Sequence, residues 1–264
     1  MTGVPLSLDK KVALVTGGSR GIGAETVRLF GSAGAQVAFS YRQARDRAEQ
    51  LVLDCGGPSR CVAIEQDLAN PSDGRALVAA AVRAFGRLDI LVVNHGVWPS
   101  DDAPIAEMRE EQWRGTLAVN LDSVFGLVQA AVAQMDRQEP PTGPEATGHI
   151  VLISSTAGQR GEAFHADYAV TKGALISLTK SLSTELAPRG IRVNCVAPGW
   201  VTTEMSAAAL GNPELGPRIT AAIPVGRAAS PREIAGPVLF LCTPLAGFIS
   251  GEILNVNGGA VLAG

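Results

Sequence analysis

The sequence predicts an α/β fold, a doubly wound sheet of about seven parallel strands with helices on both faces. The first observation is that short apolar runs alternate with amphipathic stretches along all 264 residues, the pattern of repeated βα units. The second is that strand-like runs such as 12–15 and 150–153 are continuously apolar, as in parallel sheets that are buried on both faces. The third is a composition of 46 % hydrophobic and 18 % charged residues, which suits one large core.

Each element is assigned from its length and periodicity. Seven short apolar runs rich in β-branched residues predict strands over 12–15, 37–39, 61–64, 88–93, 150–153, 191–196 and 252–255. The stretches between them have apolar residues at helical spacing, which predicts helices over 22–33, 44–55, 72–85, 108–135, 166–186 and 231–241. Pro and Gly are concentrated at 138–148 and at about 200–227, and indicate an exposed loop and a mobile lid. We expect a single domain over 1–264.

Charge and cysteine content restrict the class of protein. The 22 basic and 25 acidic residues nearly balance, so no basic face for nucleic acid is expected. The apolar stretches are shorter than the ~18 residues that a membrane helix needs, and no signal peptide is expected at the N-terminus. The four cysteines and three histidines show no metal-ligand spacing. These features predict a cytoplasmic protein with reduced thiols and with no metal, nucleic-acid partner or membrane partner.

The first predicted strand leads into a glycine-rich turn, Thr16-Gly-Gly-Ser-Arg-Gly-Ile-Gly23. Its glycines allow a tight turn and let backbone N–H groups approach a pyrophosphate at the positive end of the next helix. An ordinary tight turn would also use glycine, but a turn after the first strand of a βα series favours dinucleotide binding by a Rossmann-type fold. The predicted contacts come from Gly17, Ser19, Arg20, Gly21, Ile22 and Gly23.

The end of the second strand predicts which dinucleotide binds. Enzymes that use NAD usually carry an acid there for the ribose 2′-hydroxyl, whereas residues 38–42 read Ala-Phe-Ser-Tyr-Arg. Ser40, Arg42 and, from the glycine turn, Arg20 suit a 2′-phosphate, which predicts NADP(H). Each arginine taken alone could be a solvated surface residue. Asp67, after the third strand, could accept from the adenine amino group or cap the following helix.

These motifs and others later in the chain resemble those of the short-chain dehydrogenase/reductase family, in its compact single-domain subtype. The resemblance covers nearly the whole chain, with the motifs in order and at the expected intervals. The further motifs are Asn94-His-Gly96, Asn120, Ser154-Ser155, Tyr168-Ala-Val-Thr-Lys172, Pro198-Gly199 and Asn257-Gly-Gly259. By resemblance, the cofactor also contacts Leu68, Asn94, Gly96, Tyr168, Lys172, Pro198, Gly199, Val201 and Thr203.

Tyr168 and Lys172 lie four residues apart on a predicted helix, so their side chains share a face. A phenol with a pKa of about 10 is a poor base near neutrality. We expect the lysine ammonium and an oxidised nicotinamide to lower that pKa by about 3 units. Ser155 ends the preceding strand and could donate to a substrate oxygen. Taken singly, these residues would be surface features, but behind a glycine-rich turn they predict catalysis.

The family resemblance implies the reaction and leaves the substrate open. Tyr168 would exchange the hydroxyl proton while hydride moves between the nicotinamide and a carbonyl carbon, and Asn120 would hold a relay water. The four-residue interval favours C=O chemistry, because the family's enoyl reductases use a wider one. The similarity is to 3-oxoacyl-[acyl-carrier-protein] reductase-like members, yet Glu139 and Glu145 stand near where those carry basic residues for an acidic carrier.

A reductase of a 3-oxoacyl-type or related ketone, acting on a small-molecule carbonyl or alcohol, is therefore expected. A catabolic alcohol, sugar or steroid dehydrogenase and a non-catalytic NADP-sensing regulator are the alternatives, although the retained tyrosine and lysine favour an enzyme. The candidate pocket walls are Trp98, Gln159, Phe164, His165 and Trp200.

His95 departs from the family pattern. Members usually read Asn-Asn-Ala-Gly after the fourth strand, whereas this chain reads Val93-Asn-His-Gly96. A histidine at this position could contact substrate, but we expect it to pack locally.

The resemblance also implies a homotetramer or a homodimer. In such an assembly the helices over 108–135 and 166–186 pair with their copies in another subunit. The small residues that would permit close helix approach, unless they pack against the sheet instead, are Ala169, Gly173, Ala174 and Ser177.

Overall fold

The computed structural model describes residues 6–141 and 145–262, and its centre is a seven-stranded parallel sheet. The strand order is β3-β2-β1-β4-β5-β6-β7, so the order reverses between β1 and β4, where doubly wound sheets open a crevice at their carboxyl ends. The predicted sheet is thereby confirmed. The strands are β1 (Val12–Val15), β2 (Gln36–Tyr41), β3 (Cys61–Glu65), β4 (Ile90–Val93), β5 (Gly148–Ile153), β6 (Ile191–Pro198) and β7 (Ile253–Val256).

Helices cover both faces of the sheet. One apolar core packs α1, α2 and α10 against it, and a second packs α3, α5 and α7 on the opposite face. The helices are α1 (Gly21–Ser32), α2 (Arg45–Asp54), α3 (Pro71–Phe85), α4 (Glu110–Leu117), α5 (Ser123–Met135), α6 (Thr156–Arg160), α7 (Ala166–Leu186), α8 (Ala207–Gly211), α9 (Leu215–Ala221) and α10 (Pro231–Leu241).

Helices α3 and α5 approach each other closely because glycines lie at their crossing. A Cβ on Gly126 would stand 1.9 Å from the carbonyl oxygen of Pro71, and one on Gly74 would stand 2.5 Å from that of Ser123. Neither distance is compatible with a side chain, so a larger residue at either position would force the helices apart and weaken the core.

The structure corrects the sequence prediction in three places. The helix predicted over 108–135 starts at Glu110 and contains a π-helical turn, Ala118–Asp122, between α4 and α5. Strand β5 begins at Gly148, within the loop predicted over 138–148, of which residues 142–144 lie outside the described ranges. Three short helices, α6, α8 and α9, were not predicted, because segments of five to seven residues show too little periodicity.

The run from Glu110 to Met135 meets the length and composition of a membrane span, with a mean hydropathy of 1.4 over its most apolar window. This differs from the expectation that every apolar stretch would be too short. In the fold, however, Val124, Leu127 and Ala131 of this run are buried in the core beneath the sheet. The same composition is found in core helices of sheet proteins.

Candidate active site

A cleft of about 350 Å³ opens along the carboxyl ends of the strands. The glycine-rich turn after β1 borders it on one side, and the serines that end β5 and the tyrosine and lysine of α7 border it on the other. Sheet topology places residues from distant parts of the chain at one edge, as expected of a doubly wound fold.

The glycine-rich turn is shaped to receive a phosphate. Gly17 and Gly21 have φ values of 64° and 54°, which favour glycine. A Cβ on Gly23 would stand 2.2 Å from the carbonyl oxygen of Gly17, so only glycine fits there. No side chain caps α1, and its first N–H groups therefore face the cleft as donors.

The residues expected to bind a 2′-phosphate already have protein partners. Arg20 forms an ion pair with Glu204 at 2.9 Å, and Glu204 also pairs with Arg47. Arg42 lies 4.0 Å from Asp67. These groups are exposed, so such pairs contribute little free energy and exchange readily for a phosphate.

Two details differ from the sequence expectation. Ser40 is buried, and its hydroxyl accepts the N–H of Gly17 at 3.0 Å, so it supports the turn from below. Asp67 does not cap α3, because the cap is Asn70, which accepts N–H groups from the first turn. Ser19, Ile22, Asp67 and Leu68 line the cleft as predicted.

Asn94 and Asn120 act at the end of β4. The Asn94 amide donates to the carbonyl oxygens of Thr16 and Gly17 at 3.0 and 3.2 Å. Asn120, in the π-helical turn, accepts the N–H of Val97 at 2.8 Å and donates to the carbonyl of the same residue at 2.9 Å. These bonds orient the Asn120 amide beside Gly96 and Lys172, since a Cβ on Gly96 would lie within 3.5 Å of both side chains.

Tyr168 and Lys172 share one face of α7, as predicted. The Lys172 ammonium lies 5.6 Å from the centre of the Tyr168 ring and donates to the carbonyl oxygen of Ile153 at 2.9 Å. Ser155 caps α6 by accepting the N–H of Ala157 at 3.1 Å. Helix α6 presses on α7 through Gly158, where a Cβ would stand 2.5 Å from the Lys172 backbone. This contact helps to fix the lysine against the end of β5.

Burial dominates the pKa values of Tyr168 and Lys172 in the protein alone. Burial raises the pKa of Tyr168 to about 12, a hydrogen bond with Ser155 lowers it, and the Glu162 charge raises it. Burial lowers the pKa of Lys172 to about 8. The expected lowering of the phenol pKa requires an oxidised nicotinamide as well as the lysine, whose ammonium donates here to the Ile153 carbonyl.

Beyond β6, the chain folds over the cleft. Pro198, Gly199, Val201 and Thr203 line it, and a Cβ on Gly21 would stand 3.2 Å from the Thr203 methyl group. The segment from Thr203 therefore lies directly above the glycine-rich turn.

One wall of the cleft is aromatic. Trp98 and Trp200 line it and meet edge to face at 6.2 Å. His165 packs against Trp98 at a tilt of 45°, with 4.9 Å between the ring centres. Gln159 donates to Asn255 at 2.6 Å, and Phe164 is exposed, so neither was placed correctly as a wall residue. Arg160, Glu162 and Met205 line the cleft and were missed, because no motif marks them.

Comparisons with known proteins agree with this geometry. A family model described as enoyl-(acyl carrier protein) reductase matches residues 17–261. The 3-oxoacyl-[acyl-carrier-protein] reductase FabG of Vibrio cholerae serotype O1 is 38 % identical over 257 residues, 96 % of this chain and 98 % of that protein.

Two solved structures have the same fold. A short-chain glucose/ribitol dehydrogenase from Brucella melitensis superposes with a TM-score of 0.88 at 33 % identity, covering 98 % of this chain and 100 % of that one. A putative NAD(P)-dependent gluconate 5-dehydrogenase from Beutenbergia cavernae, with bound NADP, gives 0.87 at 34 % identity, covering 97 % and 99 %. With its cleft, its tyrosine and lysine and these relatives, the chain belongs to the short-chain dehydrogenase/reductase family and is an oxidoreductase that uses a nicotinamide cofactor.

Proposed function

We propose that this protein is an NADPH-dependent ketone reductase of the cytoplasm, in which Tyr168 is the proton donor. The observation that carries the proposal is the placement of Ser155, Tyr168 and Lys172 in one cleft with the glycine-rich turn. The glycine-rich turn fits a pyrophosphate, since the first turn of α1 borders the cleft and no side chain caps it. When bound there, NADPH supplies the hydride.

Each residue of the site has one task in this proposal. Ser155 donates to the substrate oxygen and orients the carbonyl. Tyr168 gives its hydroxyl proton to that oxygen as negative charge develops. Lys172 holds the ribose of the cofactor and, once it turns towards the phenol, favours the phenolate that remains. Asn120 holds a water that returns the proton from bulk solvent through the lysine.

The substrate end of the cleft favours a small ketone over a carrier-bound one. Trp98 and Trp200 pack with α8 and α9 in a small apolar cluster, so we propose that the segment 200–227 of this single domain is a lid that closes on the substrate. The aromatic wall suits a compact apolar substrate, and Glu162 beside it would repel an acidic carrier.

A ketone panel assayed with NADPH and NADH tests the proposal. It should include a 3-oxoacyl thioester, a diketone, a ketose and a steroid ketone, each also offered as the alcohol with NADP⁺. We expect turnover of at least one small ketone with NADPH. Turnover only of sugar alcohols would favour the catabolic dehydrogenase, and tight NADPH binding with no turnover of any compound would favour the regulator.

The choice of NADPH over NADH is expected to depend on Arg42. Replacing Arg42 with alanine should raise the KM for NADPH roughly tenfold or more, because a charged hydrogen bond to a 2′-phosphate is lost. The KM for NADH should change little. Steady-state kinetics with both cofactors measures this, and Arg45→Ala, which removes a neighbouring arginine paired with Glu65, is the matched control. Unchanged NADPH kinetics in the Arg42 variant would show that backbone shape sets the preference.

We further propose a homotetramer or homodimer built on α5 and α7. Phe125 and Val170 of these helices are 56 % and 48 % exposed, which is unusual for large apolar side chains unless a partner covers them. Light scattering should give a dimer or tetramer at micromolar concentration, and Phe125→Glu should shift it to a smaller species. The control is Leu53→Glu, at an exposed apolar side chain of α2, and it should leave the assembly intact. A monomeric wild-type protein would contradict the proposal.

A further inference from the structure

His95 follows the end of β4, and both of its ring nitrogens are engaged. Nδ1 lies 2.8 Å from the Thr16 hydroxyl, and Nε2 lies 2.8 Å from the Ser123 hydroxyl and 3.1 Å from the carbonyl oxygen of Val119. The ring thus joins Thr16, the first residue of the glycine-rich turn, to Val119 and Ser123 of the helical segment 110–135. From the sequence, His95 is expected to pack locally. The ring does so, and it also forms these three polar contacts.

The hydrogen-bond network determines which nitrogen carries the proton. The Ser123 hydroxyl donates to the Val119 carbonyl at 2.8 Å, so its oxygen accepts from Nε2–H. Nδ1 then has no proton and accepts from the Thr16 hydroxyl, whose other acceptor, the Val92 carbonyl, is more distant at 3.4 Å. Burial and the Lys172 charge lower the pKa of His95 to about 4, so the ring stays neutral near neutrality.

The helical partners of His95 lie in the π-helical turn that carries Asn120. The Ser123 N–H donates to the carbonyl of Ala118, five residues back, rather than to Val119, which would accept it in a regular α-helix. The Val119 carbonyl is supported instead by the Ser123 hydroxyl and by His95. The imidazole therefore stabilises a backbone geometry that is otherwise short of donors.

The same loop holds the Asn120 side chain from the other side. Val97, two residues after His95, contributes its N–H and carbonyl to the Asn120 amide at 2.8 and 2.9 Å. Asn120 also donates to the Thr171 hydroxyl at 3.2 Å, next to Lys172. One short segment at the end of β4 thus fixes both the backbone and the side chain of the asparagine.

We propose that His95 is a positioning residue for the reaction, which holds the π-helical turn of Asn120 in register with the glycine-rich turn. It lines the cleft, but its hydrogen bonds run to Thr16, Ser123 and Val119 and not to Tyr168 or Lys172. Through Thr16 on one side and Val119 on the other, it keeps the asparagine facing the lysine when the cofactor turn is engaged. The inference rests on the proposed proton relay through Asn120.

Two conservative substitutions of His95 each keep the contacts of only one ring nitrogen. Glutamine reaches the position of Nε2 and can keep the contacts to Ser123 and Val119, whereas asparagine reaches only the position of Nδ1 and the Thr16 contact. Because the contacts of Nε2 hold the π-helical turn that carries Asn120, His95→Gln should keep most of kcat. His95→Asn loses these contacts and should lower kcat roughly tenfold to a hundredfold, the effect of a misplaced catalytic group. Equal kcat in the two variants would overturn the inference.

A double-mutant cycle shows whether His95 acts through Asn120. In the wild-type background His95→Asn should lower kcat as above, whereas in an Asn120→Ala background it should have little further effect. Additive losses would mean that His95 acts by itself and would contradict the inference. If Asn120→Ala alone retained full kcat, the proposed relay would fail independently of what the His95 variants show.

General loss of stability is controlled with another buried histidine. His149, in β5, is 8 % exposed, lies outside the cleft lining and has a pKa lowered by burial to about 4. His149→Asn should lower Tm to a similar degree as His95→Asn while leaving kcat unchanged. A comparable loss of kcat in the His149 variant would attribute the His95 effect to destabilisation alone and would overturn the inference.

Discussion

Replacing Tyr168 with phenylalanine is expected to lower kcat by roughly 10²–10⁴-fold, the contribution of a positioned general acid. The substitution removes only the hydroxyl, so the ring still packs beside Lys172, whose ammonium lies 5.6 Å from its centre. The glycine-rich turn lies across the cleft and should bind NADPH with unchanged Kd. Stopped-flow or steady-state kinetics measures kcat, and cofactor fluorescence measures the Kd for NADPH.

The chain offers a close control, because it has only two tyrosines. Tyr41 ends β2 at the adenosine side of the cleft, and its hydroxyl lies 3.3 Å from Glu65. Any effect of Tyr41→Phe should therefore fall on the KM for NADPH and not on kcat. Substantial turnover by the Tyr168 variant would show that another group supplies the proton, and the assignment of the site would then be wrong.

Cofactor binding is expected to change the titration of Tyr168 by several pH units. Burial raises its pKa to about 12 in the protein alone, so no phenolate should form in the folded, cofactor-free chain below about pH 10. An oxidised nicotinamide adds a positive charge nearby, and Lys172 can turn from the Ile153 carbonyl to the ribose. Both changes favour phenolate, so the titration should move towards neutral pH on addition of NADP⁺.

The Tyr41→Phe chain makes this measurement direct, since Tyr168 is then its only tyrosine. Near-ultraviolet absorbance of phenolate is followed from neutral pH to about pH 10, with and without NADP⁺. Above that pH the unfolded chain loses a proton that the folded chain keeps, so stability falls as pH rises from about 10 to 12. An identical titration with and without NADP⁺ would contradict the proposed activation of the phenol.

The rates of ketone reduction and alcohol oxidation should depend on pH in opposite directions. Ketone reduction needs the protonated phenol, so its rate should be constant at low pH and fall above the pKa of the cofactor complex. Alcohol oxidation needs phenolate, so its rate should rise through the pKa of the NADP⁺ complex. That pKa should lie below the one seen in reduction, because only the oxidised nicotinamide carries a positive charge.

Much of the fold and of the site could be predicted because the relevant signals are local. Strands such as β1 and β6 are short apolar runs, and their alternation with amphipathic helices determines a doubly wound sheet. The turn at Gly17–Gly23 has a spacing that few other structures require. Tyr168 and Lys172 share a helix face wherever that helix packs.

Other features of the site were decided only by the tertiary structure. They depend on contacts between residues that are far apart in the sequence. Arg20 meets Glu204, 184 residues later, and Ser40 supports Gly17 from 23 residues away, so each has a protein partner that no local pattern indicates. The π-helical turn at Asn120 has a sequence that is compatible with a regular helix, and the end of β4 supports it through His95 and Val97.

The ionisation of Tyr168 and Lys172 shows most clearly what the local sequence determines and what packing decides. The sequence by itself determined that a phenol and an ammonium lie one helical turn apart, because helix periodicity depends only on the local chain. The sign of the pKa shift depends on burial and on where the ammonium points. Packing against β5 and α6 buries the site and directs Lys172 to the Ile153 carbonyl, so desolvation dominates and raises the Tyr168 pKa in the protein alone.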